Sequence, residues 1–462
     1  MKQEGFSLII VVLLIAMLSS LAIVATKIGG LRVASMYGAV KEKQAYYIAD
    51  AAFQHALFKL KQDDTWRGDL NNQPFAGGTY SLNVSKASSI DDITITAVGS
   101  IGATERTITR IIPPPVVDNP FIIIAFAGTG TQGWSGNNGP ALNARLRSPR
   151  GVHKDAAGNV YIADRSNHQI RYVDFATDNI YAVAGVGTVS GYNCNDCNPL
   201  AARLDSPEGV FIDNSGNVYI ADTSNHIVRK VIAGGNIVNV AGRPGNNWYS
   251  GDGGPATSAR LRSPEDVALD SNGDIYIADT GNCRIRNVDA ATSIITTYAG
   301  TGTCGYNGDG AAATTRRISS PGQLAFDSNG NLYVADTGND RIRRIDKITG
   351  IITTVAGGGA GGDGGPAVNA QLNNPEGIAV NSFGTMYIAD SSNNRIRRVD
   401  GTTGIITAHA GTGTQGNTGD GGLATDARLS RPRRLTAYDD VDGHLIIADT
   451  NNNRIREVTN AY

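Results

Sequence analysis

No sign of charge dominates this chain: 40 lysines and arginines stand against 42 aspartates and glutamates. A balance that close gives no electrostatic footprint for nucleic acid, which is excluded as a main partner. Histidine is scarce, at 6 residues, so a metal or acid–base centre built from several imidazoles has few positions to draw on. Aromatic residues make up only 6% of the chain, while glycine is abundant at 57 residues and apolar residues still reach 41%. That combination belongs to an all-β protein with many turns rather than to a disordered chain. At 462 residues the chain exceeds what one ordinary core organises, so at least two domains are expected.

The first segment gives the address. Residues 5–26 carry no charge, and residues 8–25 read LIIVVLLIAMLSSLAIVA. A run of that length spans a bilayer as a helix. It is longer than a cleaved secretory core, and no A-x-A site follows it directly. Gly5-Phe6-Ser7-Leu8, after a short charged leader, resembles the prepilin signal of type IV pilins. The resemblance implies a leader over 1–5, cleavage after Gly5, and Phe6 as the mature N-terminus. Residues 34–60 continue in a helical pattern, so one helix is expected over 6–62, with its membrane span at about 6–26. Residues 48–53 (IADAAF) are similar to the A-E-A-G-L signature of PilX-type minor pilins. Ile10 stands where major pilins carry a glutamate, which suits a filament tip better than a repeating shaft. The partners this implies are a membrane and other pilin subunits, at a bacterial surface or pilus. A plain one-span anchor is the alternative.

Residues 77–86, 92–98 and 104–112 alternate apolar and polar, which predicts a small three-stranded antiparallel meander within 63–112. Residues 113–120 begin PPP and read as a stiff linker.

Beyond the linker the chain repeats itself. YIAD or a close variant ends at Asp164, Asp222, Asp279, Asp336, Asp390 and Asp449, with spacings of 58, 57, 57, 54 and 59. A fixed period of this size, made of short strands and glycine turns, indicates a propeller or another array. Each copy holds four strand candidates, but the last copy lacks its fourth strand. Residues 122–128 (IIIAFAG) match the fourth strand at 351–357 (IITTVAG) and supply it from the front. Residues 121–462 are therefore expected to form six blades closed by both chain ends. The unit P-x-G-V-A-x-D-x-x-G-N-x-Y-I-A-D-T-x-N-x-R-I-R resembles the NHL repeat over the whole of this region. The fold class expected is mainly β: a six-bladed NHL-type propeller preceded by a long pilin-like helix and a small antiparallel sheet.

Groups present once per blade serve packing before chemistry. Each repeat Asp is followed by Asn three residues on and by Arg seven on, at Arg171, Arg229, Arg286, Arg343, Arg397 and Arg456. Candidate ligand-binding residues are instead those that vary around the ring. Trp134, Tyr192, Tyr249 and Tyr306 stand three residues before the loop Asp position in four consecutive copies, with Trp248 beside them. If exposed, they form an arc for sugar or protein recognition; the alternative is that they cover the repeat. Arg150, Glu208, Glu265, Gly322, Glu376 and Arg433 follow the proline before each inner strand and predict a polar ring at the channel mouth. It could take a polar ligand or cation, or simply pair internally.

No catalytic residue and no metal site is expected. His153, His168, His226, His409 and His444 form no ligand pattern, and no nucleophile–base pair stands out. The G-D-G-G loops look like calcium loops, but each offers one carboxylate, so no cofactor is implied beyond a weak case for calcium. Cys283 and Cys304 fall on one face of one blade and are disulfide candidates, as are Cys194 and Cys197. The expectation is a non-enzymatic, surface-displayed adhesion or binding module with a protein or glycan ligand. A membrane-anchored propeller receptor is the alternative, and a propeller-type hydrolase or lyase is the third.

Overall fold

The computed structural model describes residues 69–75, 78–86, 93–101, 104–112 and 121–460, apart from 246 and 439–442. The expected leader, the helix over 6–62 and the linker over 113–120, with Gly5 and Phe6, lie outside the described residues. Among the described residues no helix is long and apolar enough to cross a membrane. The chain divides into two compact units, residues 1–119 and 120–462.

The first unit holds a four-stranded antiparallel meander: Asp69–Phe75, Gly78–Lys86, Ile93–Ile101 and Thr104–Ile112, paired in chain order. The sequence pattern indicated three strands. The fourth, DLNNQPF, is polar and breaks register between Leu70 and Gln73, so alternation does not mark it.

The second unit is a ring of six antiparallel sheets, each with four strands ordered from the inner edge outward. Blade 4 is representative, with Pro321–Phe326, Leu332–Asp336, Arg341–Ile345 and Ile351–Gly357. The second strands of blades 2 to 6 are buried at every position, because each blade packs a neighbour against both faces. Their β-branched and aromatic content suits that environment. Six apolar clusters fill the ring, one between each successive pair of blades, the last joining blade 6 to blade 1 through Ile446, Ile455 and Val152.

Closure comes from the front of the domain. Phe121–Ala127 pairs with Arg454–Asn460, with Ile123 opposite Val458, and so forms the outer strand of blade 6. A further feature is absent from the repeat pattern. Four blade-joining loops fold back as two-residue strands on an outer edge, at Gly139–Pro140, Gly254–Pro255, Ala311–Ala312 and Gly422–Leu423. They occupy edges that would otherwise be free to pair with another chain, and in two of them a proline, Pro140 or Pro255, offers no further donor.

Candidate ligand-binding face

The blade-joining loops and the turns between second and third strands share one face, and the repeat groups tie them together. Each repeat Asp accepts a loop N–H at 2.7–2.8 Å, for example from Arg147 to Asp164 and from Arg262 to Asp279. It also accepts from the Asn three residues on at 2.8–2.9 Å. The Arg seven residues on lies 3.1–3.9 Å away, with both partners fully buried. Burial pushes the carboxyls of Asp164, Asp279 and Asp449 up to about 6 and that of Asp222 to about 7, against the pull of these donors. The loop carboxylates are likewise engaged. Asp252, Asp309, Asp363 and Asp420 each hold the buried Arg of their own blade at 2.5–2.7 Å.

One repeat position does more than the sequence suggested. The residue after each turn Asn takes a left-handed conformation, at His168, His226, Cys283, Asp340, Asn394 and Asn453. In five of these, the side chain accepts the backbone N–H of a left-handed residue on the next blade. The pairs are Ser206 to His168 Nδ1, Ser263 to His226 Nδ1, Asn374 to Asp340, Arg431 to Asn394 and Ser148 to Asn453, at 2.7–3.0 Å. These contacts latch blade to blade. The signal was present in the sequence: every copy but Cys283 carries an acceptor there. Both latch histidines must be neutral at Nδ1, and burial lowers the pKa of each.

The aromatic arc is not uniform. Tyr249 and Tyr306 lie over Arg284 and Arg341, 3.6 and 4.0 Å from ring centre to guanidinium, and bond Asp252 and Asp309 through their hydroxyls. Tyr192 is half-buried and accepts from Asn239. These three rings cover the repeat. Trp134 donates to Gln169 at 3.1 Å and is 46% exposed. Trp248, at 68% exposed, is the most open of these five rings.

The channel mouth carries two Arg–Glu–Arg triads. Glu208 takes Arg150 and, at 2.9 Å, Arg165; Glu376 takes Arg433 and, at 3.1 Å, Arg431. Glu265 stands apart, with Arg434 at 3.9 Å. Burial, then the neighbouring Glu208, pushes its carboxyl up to about 8, so it holds a proton at neutral pH.

Below this ring the blades are bolted together by residues that the repeat pattern does not mark. They follow the ring residues by one position, where three copies have glycine and three have Asp266, Gln323 and Arg434. At Gly151 and Gly377 a Cβ would come within 2.5 Å of a backbone carbonyl on the next blade, which explains the glycine. Asp266 pairs with Arg434 and accepts the Leu324 N–H at 2.8 Å. Gln323 donates to the Leu435 carbonyl and accepts the Ile378 N–H, at 2.8 and 3.2 Å. Blades 3 to 6 are thereby joined across the axis. The departures from glycine at that position were the available signal.

Cys283 bonds to Cys304 with Cα atoms 5.3 Å apart, and Cys194 to Cys197 at 6.2 Å. The first joins a turn to the loop after the same blade. Among the described residues no group of three or more His, Cys, Asp or Glu could hold a metal ion.

Comparison with known proteins agrees with this geometry. The NHL repeat model matches residues 204–230 and 261–286, and the Teneurin NHL domain model matches residues 358–418. Blades 2 and 3 thus match the NHL repeat, and blade 5 the Teneurin NHL domain. Relatives include NHL repeat-containing protein 2 of Bos taurus, 28% identical over 55% of this chain and 39% of that protein. Mouse Teneurin-1 is 27% identical over 74% of this chain and 14% of that protein. SUPPRESSOR OF QUENCHING 1 of Arabidopsis thaliana is 28% identical over 60% of this chain and 27% of that protein. This chain thus spans well under half the length of these relatives. Among solved structures, a Bacteroides thetaiotaomicron protein of unknown function aligns with TM-score 0.56 and 16% identity over 84% of this chain and 89% of its own. An auxiliary nutrient binding protein from Bacteroides ovatus aligns with TM-score 0.54 and 16% identity over 84% of this chain and 95% of its own. At that identity the likeness concerns the fold.

Proposed function

We propose that this protein is a non-enzymatic, surface-displayed binding module that takes a protein or glycan ligand on the loop-and-turn face of its propeller. The observation that carries the reading is the distribution of differences among the six blades. Groups repeated in every blade are consumed in holding loops and turns together. The groups that vary, namely the two Arg–Glu–Arg triads, Glu265, the Asp266–Gln323–Arg434 bolt and Trp248, gather on or just beneath one face. Variation of this kind gathered on one face of a rigid ring suits recognition, and the reading needs neither a cofactor nor calcium.

The display arm of the reading rests on the N-terminal sequence. The uncharged run over 5–26 and the prepilin-like Gly5-Phe6 suit a membrane-anchored minor pilin-like subunit that holds the propeller at a pilus tip or cell surface. Two measurements test the proposal. N-terminal sequencing of the mature protein is expected to begin at Phe6; a chain beginning at Met1 contradicts the pilin arm. A protein and glycan binding screen with the full chain is expected to lose its hits in Trp248→Ala or Arg433→Gln. Hits that survive both variants contradict the placement on this face.

A further inference from the structure

One cleft on the loop-and-turn face has a composition unlike the rest of the ring. It lies between the turns of blades 5 and 6, encloses about 420 Å³, and is lined by Asn374, Ser392, Asn394, Gln415, Arg431 and Asn451. Every one of these side chains is polar, so no aliphatic or aromatic side chain lines the cleft to bury an apolar group. Ligand sites are ordinarily lined mostly by apolar side chains, and an all-polar lining selects for an occupant that offers hydroxyls in several directions. Amide and hydroxyl groups are both donors and acceptors, which is what a polyhydroxylated ring requires.

The single charged member breaks the repeat. The position before the inner-strand proline is Ser148, Ser206, Ser263, Ser320 and Asn374 in five copies, all left-handed, with φ between 47° and 52°. In blade 6 it is Arg431, held in the same conformation at φ 49°. Left-handed backbone favours Asn and its like over a long side chain, so the repeat gains nothing locally from arginine there. Its backbone N–H still makes the latch to Asn394 at 2.9 Å, and so the arginine side chain is additional to the fold.

Charge at that edge is unbalanced. Glu376 is shared by Arg431 and Arg433, two guanidiniums on one carboxylate, and the Arg431 side chain is still 44% exposed. The neighbouring triad repeats the excess with Arg150 and Arg165 on Glu208. An anion at the cleft edge would meet the exposed Arg431 guanidinium, whose partner carboxylate is already shared with Arg433, and arginine's planar fork suits a carboxylate.

From the lining and this charge together we infer that the cleft between blades 5 and 6 binds an acidic saccharide, its hydroxyls on the amide and hydroxyl side chains and its carboxylate on Arg431. The inference rests on the reading of this face as the ligand-binding one, and it names the ligand class for that face.

The test is calorimetric titration of the full-length protein in detergent with three probe sets. These are galacturonate, glucuronate-containing and sialylated oligosaccharides; their carboxyl-reduced counterparts; and a glutamate-rich peptide. At least one acidic oligosaccharide is expected to bind, and its reduced form to bind about tenfold or more weakly. Arg431→Ser installs the residue that four other blades use, keeps the latch N–H, and is expected to weaken the acidic sugar by the same factor without lowering Tm. No binding of any acidic oligosaccharide overturns the inference. So does equal affinity of the reduced form, or peptide binding with the same Arg431 dependence. An acidic sugar whose binding is lost in Trp248→Ala but kept in Arg431→Ser overturns this site while leaving the face reading intact.

Discussion

His168 and His226 show how a single atom sets a constraint that composition cannot reveal. Each offers Nδ1 to a backbone N–H on the next blade, and a protonated imidazole has no acceptor to offer. Burial first of all lowers their pKa below the free value of 6.5. Above pH 6.5 folded and unfolded chains both hold neutral rings, and these residues make no pH-dependent contribution. As pH falls below 6.5 the unfolded chain takes up the protons first, so stability is lost on the acid side. Blades 5 and 6 use Asn394 and Asn453 at this position, so the double variant His168→Asn, His226→Asn is expected to keep the latches and flatten the acid limb. Thermal melts between pH 4 and pH 8 check this; an unchanged acid limb contradicts the latch. Glu265 has the opposite sign. Its folded pKa is raised to about 8, so its contribution is full below the free value of 4.5 and is lost as pH rises from there through 8. Glu265→Gln is expected to match the parent near pH 4 and to exceed it increasingly up to pH 9, by on the order of 2–5 kcal/mol in denaturant unfolding.

At the scale of the element, the inner strands do two jobs, and only one was legible in the sequence. The repeat period, the four strands per blade and the use of residues 121–127 to complete blade 6 all follow from matching copies against one another, because each copy faces the same packing problem. The bolt across the channel does not follow from that. Asp266, Gln323 and Arg434 lie one position beyond the ring read from the sequence, and their contacts cross 55 to 168 residues of chain. Copy-to-copy comparison marks what is shared, whereas the bolt is made of residues that are not. The strand Asp69–Phe75 escaped for a different reason: its bulge and polar content hide the alternation. The bolt makes a quantitative prediction. Arg434→Ala leaves Asp266 buried without its partner and is expected to cost about 3–5 kcal/mol. The double variant Asp266→Gly, Arg434→Gly returns both positions to the glycine of the other copies and is expected to cost less than the sum of its parts. Additive losses in a double-mutant cycle contradict the bolt.

At the scale of the molecule, the ring separates holding from recognising. Six apolar clusters, six buried Asp–Arg pairs and five latches fix the blades, and they recur so regularly that they carry no information about a ligand. Under the proposed binding role, six near-identical units would leave specificity to the exceptions: the mouth triads, Trp248 and the Arg431 cleft. Hydrogen–deuterium exchange of the full chain, with and without a partner recovered in the binding screen, tests this division most directly. Protection is expected in the blade-joining loops and in turns such as 391–394 and 450–453, on the loop-and-turn face. Protection confined to the opposite turns, such as 327–330 and 346–350, would contradict the account.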